Sequence, residues 1–584
     1  MRISNQKAIL LPLYCPSQQK TIPYGPMIKS HHKPLIIQSD SSLLADTHDP
    51  GFEEVRSKVS AFAELEKSPE HIHTYRISPL SLWNASSAGI SSTHIIEVLQ
   101  GYSRYPIPEN VIYTIKDITS RFGKILLEPA QNGDHLFLSV AEETIRREIL
   151  ADKKLQRLVD PVDGGFKISL FNRGTVKQEL LRIGYPVKDV APLKDGEHFP
   201  LSLKAETGSG EPLVIRDYQR DAVNAFVGDK EPGTGFGTIV LPCGSGKTII
   251  GIAALAELKV NTLIVTTNVA SVHQWKREIL DKTDITIEDI GEYTGEEKKI
   301  RPVTIATYQV LVWRENRDAD FPHFTLFRKR EWGFIIYDEV HLLPAPVFRV
   351  TAELQAIRRL GLTATLVRED NREEDVFSLV GPKRYDFPWR DLESMGWIAQ
   401  AECVEIRVEL EKSLKIPYAG ADKRGKFRIA STNPNKKAVV YDLVQKNPSD
   451  YILVIGQYLD QLKEIARELG APIITGKTPN REREQLYTDF RKKKLRVIVT
   501  SKVANFAIDL PDASMAIQVS GTFGSRQEEA QRLGRILRPK ERCARFYTLV
   551  TRYTTEETFS SNRQKFLTEQ GYRYKIESWD TIKA

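Results

Sequence analysis

The stretch Thr238-Ile-Val-Leu-Pro-Cys-Gly-Ser-Gly-Lys-Thr-Ile-Ile-Gly251 sets a lysine and a hydroxyl where an apolar, β-branched run meets a glycine turn and a helical pattern begins. Strand, glycine loop, helix is the order a phosphate-binding loop requires. Gly244 and Gly246, with Ser245 between them, let the backbone curl so that its N–H groups face inward, and the helix adds its N-terminal dipole. Lys247 can reach the β- and γ-phosphates of a nucleotide, and the Thr248 hydroxyl can ligate Mg²⁺. Leu241 stands where the strict pattern takes a small residue, and a glycine turn in an ordinary α/β unit is the competing reading.

Two more clusters suit the same chemistry. The apolar run Gly333–Tyr337 leads straight into Asp338-Glu339-Val340-His341. Carboxylates at the end of a buried strand are costly without a partner, and a Mg²⁺–nucleotide supplies one. Asp338 would hold the metal, and Glu339 would orient or deprotonate the attacking water. A capped surface helix is the plain alternative. Further on, Arg532, Arg535 and Arg538 fall along one side of a helix, and stacked cations repel unless an anion faces them. A triphosphate is such an anion, and a solvated basic face is the rival. Gln219 opens a helix ahead of the phosphate loop, where its amide can both donate to and accept from an adenine edge.

Positioning these groups takes alternating strands and helices. Thr262–Thr267, Val303–Tyr308, Gly333–Tyr337 and Leu360–Thr365 read as buried parallel strands, with a helix over Ser271–Leu280. A second α/β unit begins near Asn435, with strands at Tyr451–Ile455, Pro472–Thr475, Arg496–Thr500 and Met515–Val519. The fold class expected is therefore α/β, with a smaller α+β region in front. Residues 1–33 form a loosely ordered tail and 34–135 a first globular unit, with helices over Gly51–Leu65 and Ser91–Tyr102. Residues 136–204 form a short module, with strands at Leu136–Val140 and Phe166–Phe171 and helices at Ala141–Val159 and Gly174–Ile183. The first α/β unit spans 205–390, a connector 391–434, and the second unit 435–584. His71 and His73 read as a surface pair, since two ligands without a third make a poor metal site.

A chain of 584 residues needs several cores, and its net charge of +7 permits a nucleic-acid partner without arguing for one. Cys15, Cys243, Cys403 and Cys543 are too far apart for a metal or disulfide framework, which points to a reduced, cytoplasmic setting. No run reaches membrane-spanning length.

Taken together and in order, these pieces resemble a superfamily 2 helicase motor, two tandem RecA-like domains with parallel sheets and ATP in the cleft between them. Within it the chain resembles the XPB family, bacterial branch. The residues that carry this are Leu362-Thr-Ala-Thr-Leu-Val-Arg-Glu-Asp370, Asp375-Val-Phe-Ser-Leu-Val-Gly-Pro-Lys383, Ser501-Lys-Val-Ala-Asn-Phe-Ala-Ile-Asp-Leu-Pro511 and Gly524-Ser-Arg-Gln-Glu-Glu-Ala-Gln-Arg-Leu-Gly-Arg535. The resemblance implies ATP and Mg²⁺ as ligands, 3′ to 5′ movement on DNA, single-stranded/duplex junctions as substrate, and a nuclease or other repair protein as partner. It makes Gln219, Lys247, Thr248, Asp338 and Glu339 the first domain's share of the site, Arg535 and Arg538 the arginine fingers with Arg532 nearby, and Thr363 and Thr365 the link to domain closure. It makes Arg368, Glu369 and Asp370 a strand-separating element, where residue type alone gives a solvated loop. It also implies a damage-recognition-like module at 136–204 and a thumb at 409–434. Candidate DNA contacts are Asn268, Gln274, Thr307 and Tyr308 in the first domain and Thr475, Gly476, Thr500 and Ser501 in the second, each equally able to cap a loop. Ala507 departs from the glycine of many helicases. An ATP-gated clamp or duplex translocase with little processive unwinding uses the same residues and stays open, as does an RNA substrate.

Arg535 lies on a different domain from Lys247, so it meets the γ-phosphate only on closure. Arg535→Ala is expected to keep nucleotide binding while hydrolysis falls on the order of 10³-fold. Normal turnover in the folded variant removes Arg535 from the site.

Overall fold

The computed structural model describes residues 33–579 other than 68–70, 131–134, 209, 230–232, 243, 317–320, 355–356, 365–372, 388–391, 393–394, 396–400, 502–512, 522–543 and 562–572. The β-branched runs around the phosphate loop form a seven-stranded sheet. Its order is Ile290–Tyr293, Val303–Thr307, Thr262–Thr266, Phe334–Asp338, Arg358–Thr363, Phe236–Val240, Lys383–Asp386, with every neighbouring pair parallel. Side chains alternate between its faces. Ile264, Ile336 and Leu362 enter one core, and Leu263, Ile335 and Tyr337 enter another on the opposite side. Because the strands are parallel, Val240, Thr266, Thr307, Asp338 and Thr363 all end along one edge. That edge holds the chemistry.

A second parallel sheet, also of seven strands, runs Ile473–Ile474, Val497–Thr500, Ile452–Ile455, Met515–Gln518, Ala544–Thr551, Ala401–Val408, Arg573–Ser578. The two expected RecA-like layers are thus present. The boundary at 435 needs correction, because Ala401–Val408 lies inside this sheet between two parallel neighbours. Its Glu402, Glu405 and Arg407 gave it a polar look. Glu405 is nevertheless buried, accepting hydrogen bonds from Ser560 Oγ (2.5 Å), Tyr574 Oη (2.7 Å) and Arg407 Nε (2.9 Å). The rest of the connector forms short helices at Lys415–Gly420 and Lys423–Ser431, where the thumb was expected.

Ahead of the motor sheets lie a four-stranded antiparallel sheet and a five-stranded one. The five-stranded sheet begins at Ile125–Pro129, which pairs with His135–Val140, so a boundary at 136 divides one sheet. Two expected helices are also shorter. The first spans Phe52–Val59 and gives way to the strand Glu64–Lys67. The second spans Glu143–Ala151, and Val159–Val162 is an edge strand whose Pro161 an edge tolerates. His71 and His73 do not form a surface pair. His73 is buried edge-on against Phe52, while His71 Nδ1 meets His48 Nε2 at 2.7 Å. Among the described residues no helix is long and apolar enough to cross a membrane.

The five-stranded module joins the first motor sheet through buried charge. Asp189 receives Arg173 Nη2 at 2.7 Å, Arg173 Nε at 3.0 Å and Lys177 Nζ at 2.9 Å. Burial alone would raise the Asp189 carboxyl, but Lys177 and Arg173 hold it well below the usual carboxylate range. Burial takes the Lys177 ammonium down to about 8. From the motor side comes Arg359, fully buried, and the Phe236 ring lies within 5.2–5.5 Å of Lys177, Arg359 and Arg384. Removing the carboxylate strands buried cations. Asp189→Ala is expected to cost roughly 3–5 kcal/mol, read as a lower denaturant midpoint for the intact chain. An unchanged midpoint means that the cluster contributes nothing to stability.

Candidate nucleotide site and strand interface

The loop after Phe236–Val240 has the geometry its glycines were expected to supply. Gly244 and Gly246 have φ of 81° and 80°, and Gly246 caps the helix Lys247–Leu258. A Cβ on Gly246 would lie 2.5 Å from Gln219 Nε2, so space as well as φ requires glycine. Leu241 is fully buried and its N–H donates to Thr363 O at 3.0 Å, so the departure from the strict motif serves the core. Lys247 Nζ donates to the carbonyls of Leu241 (3.1 Å) and Pro242 (3.3 Å), across the start of the loop. Thr248 is half-buried in the first turn of the helix.

Gln219 departs from its expected stance toward adenine. It is 1% exposed, its Nε2 donates to Ser245 O at 3.2 Å and its Oε1 accepts the Arg216 N–H at 3.1 Å. Tyr218 Oη donates to the same Ser245 carbonyl at 2.6 Å. The pair braces the loop from behind.

The strand Phe334–Asp338 delivers the acidic pair to the same edge. Asp338 Oδ2 accepts the Trp275 indole N–H at 2.9 Å and the Thr266 hydroxyl at 3.1 Å. Glu339 has φ 50° and ψ 54°, a left-handed backbone that costs a non-glycine residue energy and that recurs at working sites. Burial raises both carboxyls, and for Asp338 the neighbouring Glu339 raises it further, while Lys247 opposes the shift in each. Two half-buried carboxylates beside one ammonium form a site short of positive charge. The hard oxygens of Asp338 and Thr248 are the donor type Mg²⁺ takes, so the residues fit that ion. His341 ties this corner to the next strand, with Nδ1 2.7 Å from Thr363 Oγ1 and 3.6 Å from Glu339 Oε2.

The candidate strand contacts divide by burial. Gln274 and Gly476 are exposed. Asn268 and Thr475 are half-buried; Asn268 Oδ1 caps its helix through the Ser271 N–H at 3.0 Å, and Thr475 Oγ1 accepts the Lys477 N–H at 3.2 Å. Thr307, Tyr308, Thr500 and Ser501 are buried. Thr307 caps the turn at Val310, and Tyr308 Oη donates to Asp338 O at 3.0 Å. Thr365, Arg368, Glu369, Asp370, Arg532, Arg535 and Arg538 lie outside the described residues. The sequence reading passed over Trp275, Thr266, Tyr218 and His341. Trp275 had one signal, its place directly after Gln274 on a helix entering this sheet edge.

Comparison with known families places this geometry. The C-terminal helicase model of ERCC3/RAD25/XPB matches residues 392–582, the res subunit of type III restriction enzymes matches 212–368, and a conserved helicase C-terminal domain matches 35–160. The DNA 3′-5′ helicase XPB of Mycobacterium tuberculosis is 49% identical over 94% of this chain and 98% of its own length. That of Kineococcus radiotolerans is 48% identical over 94% and 97%. The general transcription and DNA repair factor IIH helicase/translocase subunit XPB of Encephalitozoon cuniculi is 34% identical over 93% and 82%. Identity of this extent over nearly the whole length, with the phosphate loop and the acidic pair on one sheet edge, means that the chain belongs to the XPB family, in its bacterial branch.

Proposed function

We propose that this chain is an ATP-dependent DNA helicase moving 3′ to 5′, with a role in DNA repair. The observation that carries the reading is the meeting of Lys247, Asp338 and Glu339 at one edge of the first parallel sheet. Lys247 binds the β- and γ-phosphates in the cradle of Gly244–Gly246 N–H groups. Thr248 and Asp338 would hold Mg²⁺, which would supply positive charge against the phosphates. Glu339, with its carboxyl already raised by burial, takes the proton of the attacking water. Arg535 and Arg538 complete the site from the second domain. DNA is held mainly through its phosphates, without base specificity, and Arg368, Glu369 and Asp370 steer one strand from the other.

The name helicase/translocase borne by the Encephalitozoon relative favours one rival, a duplex translocase with little unwinding. Triplex displacement beside strand displacement on a tailed duplex separates the two.

Lys247→Ala is expected to abolish ATP hydrolysis with DNA affinity largely kept, because the ammonium serves phosphate and not DNA. Wild-type turnover in the folded variant sinks the nucleotide-site assignment. Replacing Arg368, Glu369 and Asp370 together by Ala is expected to leave ATPase near normal and impair strand separation. Unchanged unwinding returns the trio to a surface loop.

A further inference from the structure

Trp275 touches both halves of the nucleotide site. It is 1% exposed on the helix Val269–Lys282, and its indole N–H reaches Asp338 Oδ2 at 2.9 Å. The far edge of the ring lies against the phosphate-loop helix, where a Cβ on Gly251 would come within 2.6 Å of Trp275 Cη2. Thr266, at the end of the strand that feeds this helix, puts its hydroxyl on the same Asp338 oxygen at 3.1 Å. With two donors on Oδ2, the orientation of the carboxylate is held. Tyr308 holds the same residue from a second side, its hydroxyl donating to Asp338 O at 3.0 Å.

These grips come from particular elements. The helix holding Trp275 is capped by Asn268 and exposes Gln274, and Tyr308 follows Thr307 at the end of the neighbouring strand. Both are elements assigned above to strand binding. A close-packed interior passes small displacements on, so a strand seated on Asn268 and Gln274 moves the donors that aim Asp338.

We propose that Trp275 and Tyr308 are positioning residues that couple strand binding to ATP hydrolysis, by orienting the metal-holding carboxylate from the elements that meet DNA. The inference rests on the helicase reading and names its internal linkage. Its rival is a tryptophan that only fills the core, its N–H satisfied by the nearest acceptor.

The test uses the full chain. Trp275→Phe keeps an aromatic ring and loses the donor, and Thr266→Val removes the second donor at almost the same shape. Four quantities are measured: affinity for a labelled single-stranded oligonucleotide, the Mg²⁺ concentration for half-maximal binding of a fluorescent ATP analogue, ATPase with and without the oligonucleotide, and melting temperature. For both variants the expected result is DNA affinity within about twofold of the parent, with the Mg²⁺ midpoint raised and the DNA-stimulated kcat lowered on the order of tenfold. Tyr308→Phe is expected to lower the stimulation by DNA in the same direction. A core-filling role moves the melting temperature and leaves the Mg²⁺ midpoint in place, so Trp275→Phe and Thr266→Val with parental midpoint and stimulation overturn the proposal. Gln274→Ala separates the premises. Weakened DNA binding there, with Trp275→Phe still fully stimulated, overturns the coupling alone, and unchanged DNA binding overturns the strand-binding role of this helix and the coupling with it.

Discussion

The active edge is organised by an electrostatic shortfall. Asp338 ends a parallel strand whose other residues are all buried, Glu339 follows it, both are half-buried, and Lys247 sets one cation against the two carboxylates. Hydrogen bonds from Trp275, Thr266 and the Ala364 N–H ease the burden without removing it. A polar site left unbalanced is costly, and proteins keep such sites where a ligand completes them. The rest of the first domain can be understood as what keeps this imbalance from relaxing. Glycine at 244 and 246, buried Leu241 and the Tyr218–Gln219 brace hold the loop, and Lys247 Nζ rests on its Leu241 and Pro242 carbonyls.

The same logic of held charge joins the N-terminal units to the first motor domain. Asp189 gathers Arg173 and Lys177, and Arg359 enters from the middle of the motor sheet. Alongside, Gln178 Nε2 donates to Asp375 Oδ1 at 2.7 Å, the Lys383 N–H donates to Asn84 Oδ1 at 3.0 Å, and Trp83, Leu181 and Phe377 share a small core. Three units therefore converge on residues 375–383, the segment that follows the Arg368-Glu369-Asp370 element in the chain. Buried ion clusters add little net stability but tolerate few geometries, which suits a joint that must not slide.

Much of this was legible from residue type and spacing, and the misses share a cause. The phosphate loop, the acidic strand end and the four strands expected between the helices of each motor unit are local patterns, either glycine punctuation or continuous apolar runs. Ala401–Val408 was missed because its polar residues are paid for by partners far away in sequence, as Glu405 is by Ser560 and Tyr574. Gln219 was read as able to face an adenine edge, and its contact with Ser245 gave no signal, since the two residues meet only through the fold. Thr307 and Tyr308 were candidate DNA contacts equally able to cap a loop; Thr307 does cap, and Tyr308 turns inward to the Asp338 carbonyl, one strand beyond its neighbour Thr262–Thr266. Trp275 gave no signal beyond its place directly after Gln274. A lone tryptophan on an amphipathic helix reads as core, and its polar tip matters only once its acceptor is known.

The second motor domain is stiffened in its own way. Lys436 and Glu556 are both buried, with Nζ 2.8 Å from each carboxylate oxygen and 3.0 Å from Val519 O. Glu556 also accepts from the Ser431 hydroxyl at 3.1 Å and the Thr551 N–H at 2.9 Å. Those contacts bind the helix Lys423–Ser431 to the sheet, and Tyr418 Oη, accepting the Thr555 N–H at 2.8 Å, binds the helix before it. The thumb candidate is thus built into the second domain, as the five-stranded module is built into the first. Breaking either ion pair leaves a buried charge without its partner, so neither domain can absorb strain cheaply within itself. In the function proposed above, movement driven by nucleotide falls between the two domains, where the arginines of the second are proposed to meet a phosphate on the first.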